Sequence, residues 1–234
     1  MENINYLTNY FKLNEQYFTI DLYQFSENDI ESLIEVVKNN TENIIIPYNN
    51  DYYTLLGMYY LRHKNYDYSK KYFSIGVELS NIRSMYMLAR YYENIEYNPN
   101  LVGKYYKLAI ELNDTISMYS YACFCENNLK NIKEAKKYYI MGSDMNDSNS
   151  LFNLANIFKN TDNNIKLYRI FLQKAVNLHD IRATHNLGMY YIETGQPIKG
   201  INLLEMCCQK MSKLSMLVLA KYYKTIDKSK SEEY

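Results

Sequence analysis

The sequence has no tryptophan, and its 234 residues include only seven glycines and three prolines. Scarce glycine bears on chemistry, because loops that cradle phosphate are built from it. Neither a P-loop (G-x-x-x-x-G-K followed by Ser or Thr) nor a G-x-G-x-x-G fingerprint occurs, which speaks against nucleotide and dinucleotide cofactors. Cysteine is sparse as well. Cys123, Cys125, Cys207 and Cys208 form no C-x-x-C pair and no ladder suited to a disulfide-stapled secreted fold, so reduced thiols are expected. The three histidines, His63, His179 and His185, lack H-x-x-x-H spacing, and no metal site is expected. An excess of charge is missing too: 26 Lys plus Arg balance 26 Asp plus Glu. Without a long-range field to gather phosphates, a nucleic-acid partner is disfavoured. No stretch approaches the roughly 20 apolar residues of a membrane span. The opening Met1 to Asn5 has neither the basic flank nor the apolar run of a signal peptide, so a cytoplasmic protein without a membrane partner is expected.

What the chain has in quantity is 28 tyrosines and 29 asparagines. Both are encoded by A+T-rich codons, and the usage is similar to that of giant DNA viruses of protists, which would place the protein in a host cytoplasm. That bears on origin and leaves the chemistry open.

The organising feature is a period. Gly57, Ala89, Ala122, Ala155, Gly188 and Ala220 recur at intervals of 32 or 33 residues. A fixed spacing of this length marks a stack of one supersecondary unit, in which each copy buries its apolar face against its neighbours. Eight residues before each small residue stand Asn49, Asn81, Asp114, Asp147, Asp180 and Ser212, all able to accept a hydrogen bond from an orphan amide at a helix start. Just before those caps come Ser80, Asn113, Asn146 and His179, positioned to end the previous helix in a left-handed conformation. The first helix of each copy, helix A, carries Leu, Leu, Tyr, Leu, Leu and Leu before the small residue and Tyr60, Tyr92, Cys125, Phe158, Tyr191 and Tyr223 three after it. That is an apolar stripe at helical spacing. A second helix, B, is marked by Ser69, Val102, Ala135, Tyr168 and Gly200, with Tyr72, Tyr105, Tyr138, Phe171 and Leu203 three on and Gly76, Ala109, Gly142, Ala175 and Cys207 seven on. Pro99 and Pro197 fit its first turn, where a missing amide is tolerated. Every glycine is then absorbed by the repeat or by a turn, and Cys125 and Cys207 fall on core positions.

Small residue, aromatic at +3, small near +12, aromatic at +15 or +16 and small at +19 resembles the tetratricopeptide (TPR) repeat, a pattern shared by Sel1-like repeats. The segment Asn186 to Gly200 is the best copy, and the resemblance covers roughly residues 49 to 227. It departs from the TPR pattern where the aromatic expected four before the small residue is Met85, Met118, Leu151, Thr184 or Met216, and the terminal proline is missing. The resemblance implies an all-α fold, a right-handed α-α superhelix of antiparallel helix pairs whose A helices line a concave groove for a peptide or partner protein. It implies no catalysis.

Five repeats are thus expected over 49–80, 81–113, 114–146, 147–179 and 180–211, with a helical cap over 1–48 in which Ser26 or Asn28 starts a helix carrying Ile30, Leu33, Ile34 and Val37. A C-terminal capping helix is expected over 213–228, its outer face polar with Lys221, Lys224 and Lys228, followed by a disordered tail over 229–234. Groove-lining positions in TPRs lie at −6, −3, +1 and +4 from the small residue. Here they nominate Arg83, Tyr86, Arg90, Tyr119, Cys123, Asn149, Phe152, Asn156, Arg182, His185 and Met189 as the partner-binding row, with Glu93, Ile116, Glu126, Lys159 and Ile192 beside them. Aromatics next to Arg and Asn suit a peptide, while the same row can also be an ordinary solvated face. The lysine and asparagine arrangement of chaperone-binding TPRs is not reproduced, since the paired positions hold Thr54 with Met58 and Tyr86 with Arg90. The sequence therefore points to a non-catalytic interaction scaffold. A helical-repeat binder of single-stranded RNA is the alternative, weakened by Glu93 and Glu126. An enzyme acting through the N-terminal 48 residues is weaker still, because so short a segment makes no independent core. If Ala122 marks a helix crossing, Ala122→Leu overpacks it and lowers stability by about 1 to 3 kcal/mol, read as a reduced denaturation midpoint.

Overall fold

The structure, a computed structural model, describes residues 51–224. The expected cap over 1–48, Asn49, Lys228 and the tail over 229–234 lie outside the described residues. Eleven α-helices and no strand occur among the described residues. They alternate as A and B helices: α1 (Asp51–Arg62) and α2 (Tyr66–Glu78), α3 (Ile82–Asn94) and α4 (Pro99–Glu111), α5 (Thr115–Asn127) and α6 (Ile132–Asp144), α7 (Ser148–Asn160) and α8 (Ile165–Asn177), α9 (Ile181–Glu193) and α10 (Pro197–Gln209), and then α11 (Lys213–Lys224). The chain divides into two compact units, the first ending at Ser117 and the second beginning at Met118.

The A helices start where the sequence reading put them. The side chains of Asn81, Asp114 and Asp147 each accept from the amide three residues on, at 2.8 Å from Ser84, Ser117 and Ser150. Asp180 takes the amides of Arg182 and Ala183, and Ser212 that of Ser215. Before each stands a left-handed residue: Ser80, Asn113, Asn146, His179 and also Met211, with φ between 58° and 63°. The turn so made returns the cap amide to the last helical carbonyls, as in Asn81 N–H to Gly76 at 2.9 Å. B helices have caps of their own that the sequence reading passed over. Asn65, Asn98, Asn131 and Asn164 accept from the amides of Tyr68, Leu101, Glu134 and Leu167. Gln196 makes no such bond, and Pro197 at the first turn replaces it.

The alternation of the period between 32 and 33 has a simple cause. The A-to-B loop is three residues long at 63–65 and 194–196 and four at 95–98, 128–131 and 161–164. Loops this short make consecutive helices antiparallel neighbours. At their crossing the small residue sits on the B helix. A Cβ on Gly57 would come 2.4 Å from the Phe73 ring, and one on Gly188 within 3.1 Å of the Gly200 carbonyl and Leu204. One turn further along, the aromatic stripes meet: Tyr60 stacks on Tyr72 at 5.4 Å and Tyr92 on Tyr105 at 5.8 Å, and Phe158 lies tilted against Phe171 at 5.1 Å. In the copy where Cys125 replaces the aromatic, Tyr121 meets Tyr138 edge-on at 4.8 Å.

The second small position of helix B faces the following A helix. A Cβ on Gly76 would lie 1.9 Å from Ser84 Oγ and 2.6 Å from its Cβ, and Gly142 stands in the same relation to Ser150. Ser84 is itself held by Thr54, whose hydroxyl lies 2.6 Å away. On the outside, lysine clamps tie successive copies. Lys70 pairs with Glu96 at 2.6 Å and lies over Tyr92, and Lys136 pairs with Asp162 and lies over Phe158. One expectation is revised at the C-terminal end. The face of α11 carries Leu214 and Leu217, 59% and 52% exposed, beside Lys221 and Lys224, so it is only partly polar. Gly76→Ala is expected to destabilise by about 1 to 3 kcal/mol, although alanine favours a helix by nearly 1 kcal/mol, because Ser84 cannot retreat. Chemical denaturation measures it, and Ser84→Gly in the same chain should restore part of the loss.

Candidate interaction surface on the A helices

Because the A helices share one register, positions −6, −3, +1 and +4 recur at the same place on each of them. In the first unit the −6 column begins with an ion pair. Arg83 Nη1 lies 2.9 Å from Asp51 Oδ2, whose other oxygen accepts from Asn81 Nδ2 at 2.9 Å. Tyr86 is only 6% exposed, its ring edge-on to Tyr106 at 5.9 Å, so it supplies packing and little open stacking surface. Arg90 is exposed and lies 3.5 Å from Glu93, and Glu93 also accepts the Tyr106 hydroxyl at 3.0 Å.

The second unit holds the larger part of the row. Tyr119 is half-buried against Tyr139. Cys123 Sγ lies 3.2 Å from Tyr139 Oη, which donates to Glu126 at 2.8 Å and accepts from Asn153 Nδ2 at 3.0 Å. Arg182 spreads over the Phe152 ring at 4.6 Å, donates to Asn149 Oδ1 at 2.7 Å and is anchored to the Asp180 carboxylate at 2.5 Å. His185 Nδ1 sits 2.9 Å from Ser215 Oγ. Asn156 and Met189 line a recess of about 150 Å³ with Lys159, Asn160, Tyr168, Asn186, Tyr190 and Glu193.

The structure thus brings the nominated residues onto one type of face and joins several of them to the next helix. Three contributors escaped the sequence reading: Tyr106 and Tyr139, which reach across from B helices, and Asp180, whose carboxylate both caps α9 and holds Arg182. A tyrosine 17 residues beyond the small residue in two consecutive copies was the available signal. Burial, with Glu93 and Glu126 adding to it, pushes the phenols of Tyr106 and Tyr139 well above the usual tyrosine range, so both remain hydrogen-bond donors. Burial likewise holds the Cys207 and Cys208 thiols above their ordinary value, unlike activated thiolates. Among the described residues no group of three or more His, Cys, Asp or Glu is placed to hold a metal ion, and no helix is long and apolar enough to cross a membrane.

No protein-family model and no curated protein sequence matches the chain. Solved structures do. The chain is similar to a Sel1 repeat protein from Oxalobacter formigenes, with a TM-score of 0.64 at 15% identity, over 88% of this chain and 96% of that one. A protective antigen of uropathogenic Escherichia coli that displays an SLR fold superposes with a TM-score of 0.63 at 18% identity, over 82% of this chain. The chain spans only 43% of that antigen's length. Pseudomonas aeruginosa pilF gives 0.61 at 17% identity, over 78% of this chain and 86% of its own. At such identities the likeness is one of fold, and that fold is the Sel1/TPR type of helical repeat.

Burial depresses the His185 pKa below its ordinary 6.5. The unfolded chain then binds the extra proton more readily, so this contribution to stability is complete above that value and is lost as pH falls below it. The urea midpoint is expected to drop between about pH 7.5 and about pH 5.5, and His185→Asn should make the drop smaller.

Proposed function

We propose that the chain is a non-catalytic interaction scaffold or adaptor that holds a peptide segment or partner protein against the A-helix face. One observation carries the reading. The helix-crossing position keeps Gly or Ala in every copy, whereas two of the four row positions, −6 and +1, change chemistry at every copy. At −6 the row reads Asp51, Arg83, Ile116, Asn149, Arg182 and Leu214, and at +1 it reads Met58, Arg90, Cys123, Asn156, Met189 and Lys221. Packing demands uniformity, and a surface matched to one irregular partner does not. In the second unit, Arg182 stacked on Phe152 beside Asn149 offers a planar cation, an aromatic edge and an amide within one patch, the kind of mixture that centres of protein interfaces use.

The RNA alternative asks for the same cation in each copy, as a repeating phosphate backbone would need. The row has instead three arginines, Arg83, Arg90 and Arg182, spread over two columns among unlike residues, and its two glutamates are occupied by tyrosine hydroxyls. Cytoplasmic residence, in a host cell if the viral composition reflects origin, belongs to the same reading. So does the absence of a catalytic, cofactor or metal role.

The test is affinity capture from the native cytoplasm with the wild-type chain and with Arg90→Glu/Phe152→Ala/Arg182→Ala. Tyr86 is left intact because its truncation would open the core. Partners held by the wild type and lost by the variant support the reading, and partners held equally by both place binding elsewhere. Tight, salt-sensitive retention of single-stranded RNA on filters would favour the alternative.

A further inference from the structure

The balance of charge over the whole chain is made of opposite parts. Residues 1–50 carry eight acidic and two basic side chains, whereas residues 118–224 carry fourteen basic and eight acidic ones. The last helix of the second unit, α11, has three lysines and no acidic residue. It is also an A helix with no B helix after it among the described residues. One side of α11 is anchored, since Leu219 and Tyr223 are buried together with Leu204 of α10. The other side is open. Leu214 and Leu217, each more than half exposed, stand in line with the exposed Lys221 and Lys224. The four are separated by three, four and three residues, the spacing by which one helix offers a seam to another.

The chain contains the complement of that seam. Residues 26–38 lie outside the described residues, but the sequence expects a helix there, and Glu27, Ile30, Ile34 and Val37 are again separated by three, four and three, with Glu31 beside them. Laid antiparallel, the two series match along their length: Leu214 meets Val37, Leu217 meets Ile34, Lys221 meets Ile30 next to Glu31, and Lys224 meets Glu27. Laid parallel, the match is lost, because Glu27 falls on Leu214 and Val37 on Lys224. A second α11 does not serve either, since antiparallel it sets Leu214 on Lys224 and parallel it sets lysine on lysine. Two exposed leucines one turn apart ask for an apolar cover, and the lysines beyond them ask for an acidic one. A nucleic acid fails the first demand and a neutral apolar peptide the second.

We infer that α11 is the receiving end of a head-to-tail self-assembly, in which residues 26–38 of a second copy lie antiparallel along Leu214, Leu217, Lys221 and Lys224. The segment precedes the first unit and α11 closes the second, so each added copy still presents a free head and a free tail. Such a heterologous contact continues into chains or closes into rings. The seam occupies the last row positions of the A face, but the inference needs α11 alone and does not rest on the adaptor reading.

Sedimentation equilibrium of the full chain from about 1 µM to about 1 mM tests it, because one helix face makes a small and weak interface. The mass should rise with concentration past that of a dimer at low salt and fall back as salt is added. Leu214→Asn/Leu217→Asn changes only exposed side chains and should stay monomeric, and Glu27→Lys/Glu31→Lys should do the same. Mixed, these two variants retain one intact head and one intact tail between them and should stop at a heterodimer. Lys221→Glu/Lys224→Glu should weaken assembly on the order of tenfold, and Glu27→Lys/Glu31→Lys in the same chain should restore it, which a merely misfolded variant cannot do. A wild-type chain that is monomeric at every concentration overturns the inference, whether the segment is taken up within its own copy or not. So does assembly undiminished by the leucine variant, or a mixture without heterodimer. Assembly together with unchanged partner capture by Arg90→Glu/Phe152→Ala/Arg182→Ala sinks the adaptor reading alone, and lost capture without assembly sinks this inference alone.

Discussion

Everything else in the structure follows from how near an A helix can come to the B helix after it. Gly57, Ala89, Ala122, Ala155 and Gly188 present at most a methyl at the crossing, and all are buried there. A larger side chain at Gly57 would enter the Phe73 ring, and at Gly188 it would meet backbone. With the axes this close, rings one turn on meet across the crossing, flat in Tyr60–Tyr72 and Tyr92–Tyr105 and tilted in Phe158–Phe171, which suits tyrosine and phenylalanine at matched positions of both helices. The same closeness permits loops of three or four residues. Their length sets the period, so the spacing that first appears as numerology is the sum of two thirteen-residue helices and two short turns.

The junctions into the A helices were legible because two independent signals coincide there, a residue tolerant of positive φ and then a cap. Met211 was missed at the last one, since methionine has no special tolerance for a left-handed backbone and takes it at φ 59° because the register demands it. Caps of the B helices were hidden by abundance. In a chain with 29 asparagines, Asn65, Asn98, Asn131 and Asn164 look like background until the helix starts are known. The row of side chains on the A face was legible as positions and not as states. Tyr86 was nominated for its place and turns out to be packed, because Tyr106 comes over from the B helix and closes on it. Nothing one-dimensional ties residues 86 and 106 together, and the same holds for Asn153 and Tyr139.

Several row residues are already joined: Asp51 with Arg83, Asn149 with Arg182, His185 with Ser215. These links run between copies 30 to 33 residues apart, so they align neighbouring A helices as much as they decorate them. Energetically they are modest. A half-exposed ion pair contributes about 0 to 1 kcal/mol, which a partner with its own charged or polar groups can replace without opening the core. Row residues can therefore serve packing order in the free chain and recognition in a complex, since the groups are held in place by bonds weak enough to exchange.

The fully buried tyrosines behave differently. Tyr106 and Tyr139 donate to Glu93 and Glu126 from inside the helix pair, where removing one member would leave a carboxylate facing a void and cost about 1 to 3 kcal/mol or more for a charged group. Two copies keep this arrangement. The next changes three of its four elements, with Leu172 for the phenol, Lys159 for the carboxylate and Asn156 for the cysteine, and keeps only the asparagine, as Asn186. A simple loss of the tyrosine would have left Glu in place with its negative charge unsatisfied. The simultaneous change to Lys159 leaves no carboxylate at that position to be satisfied.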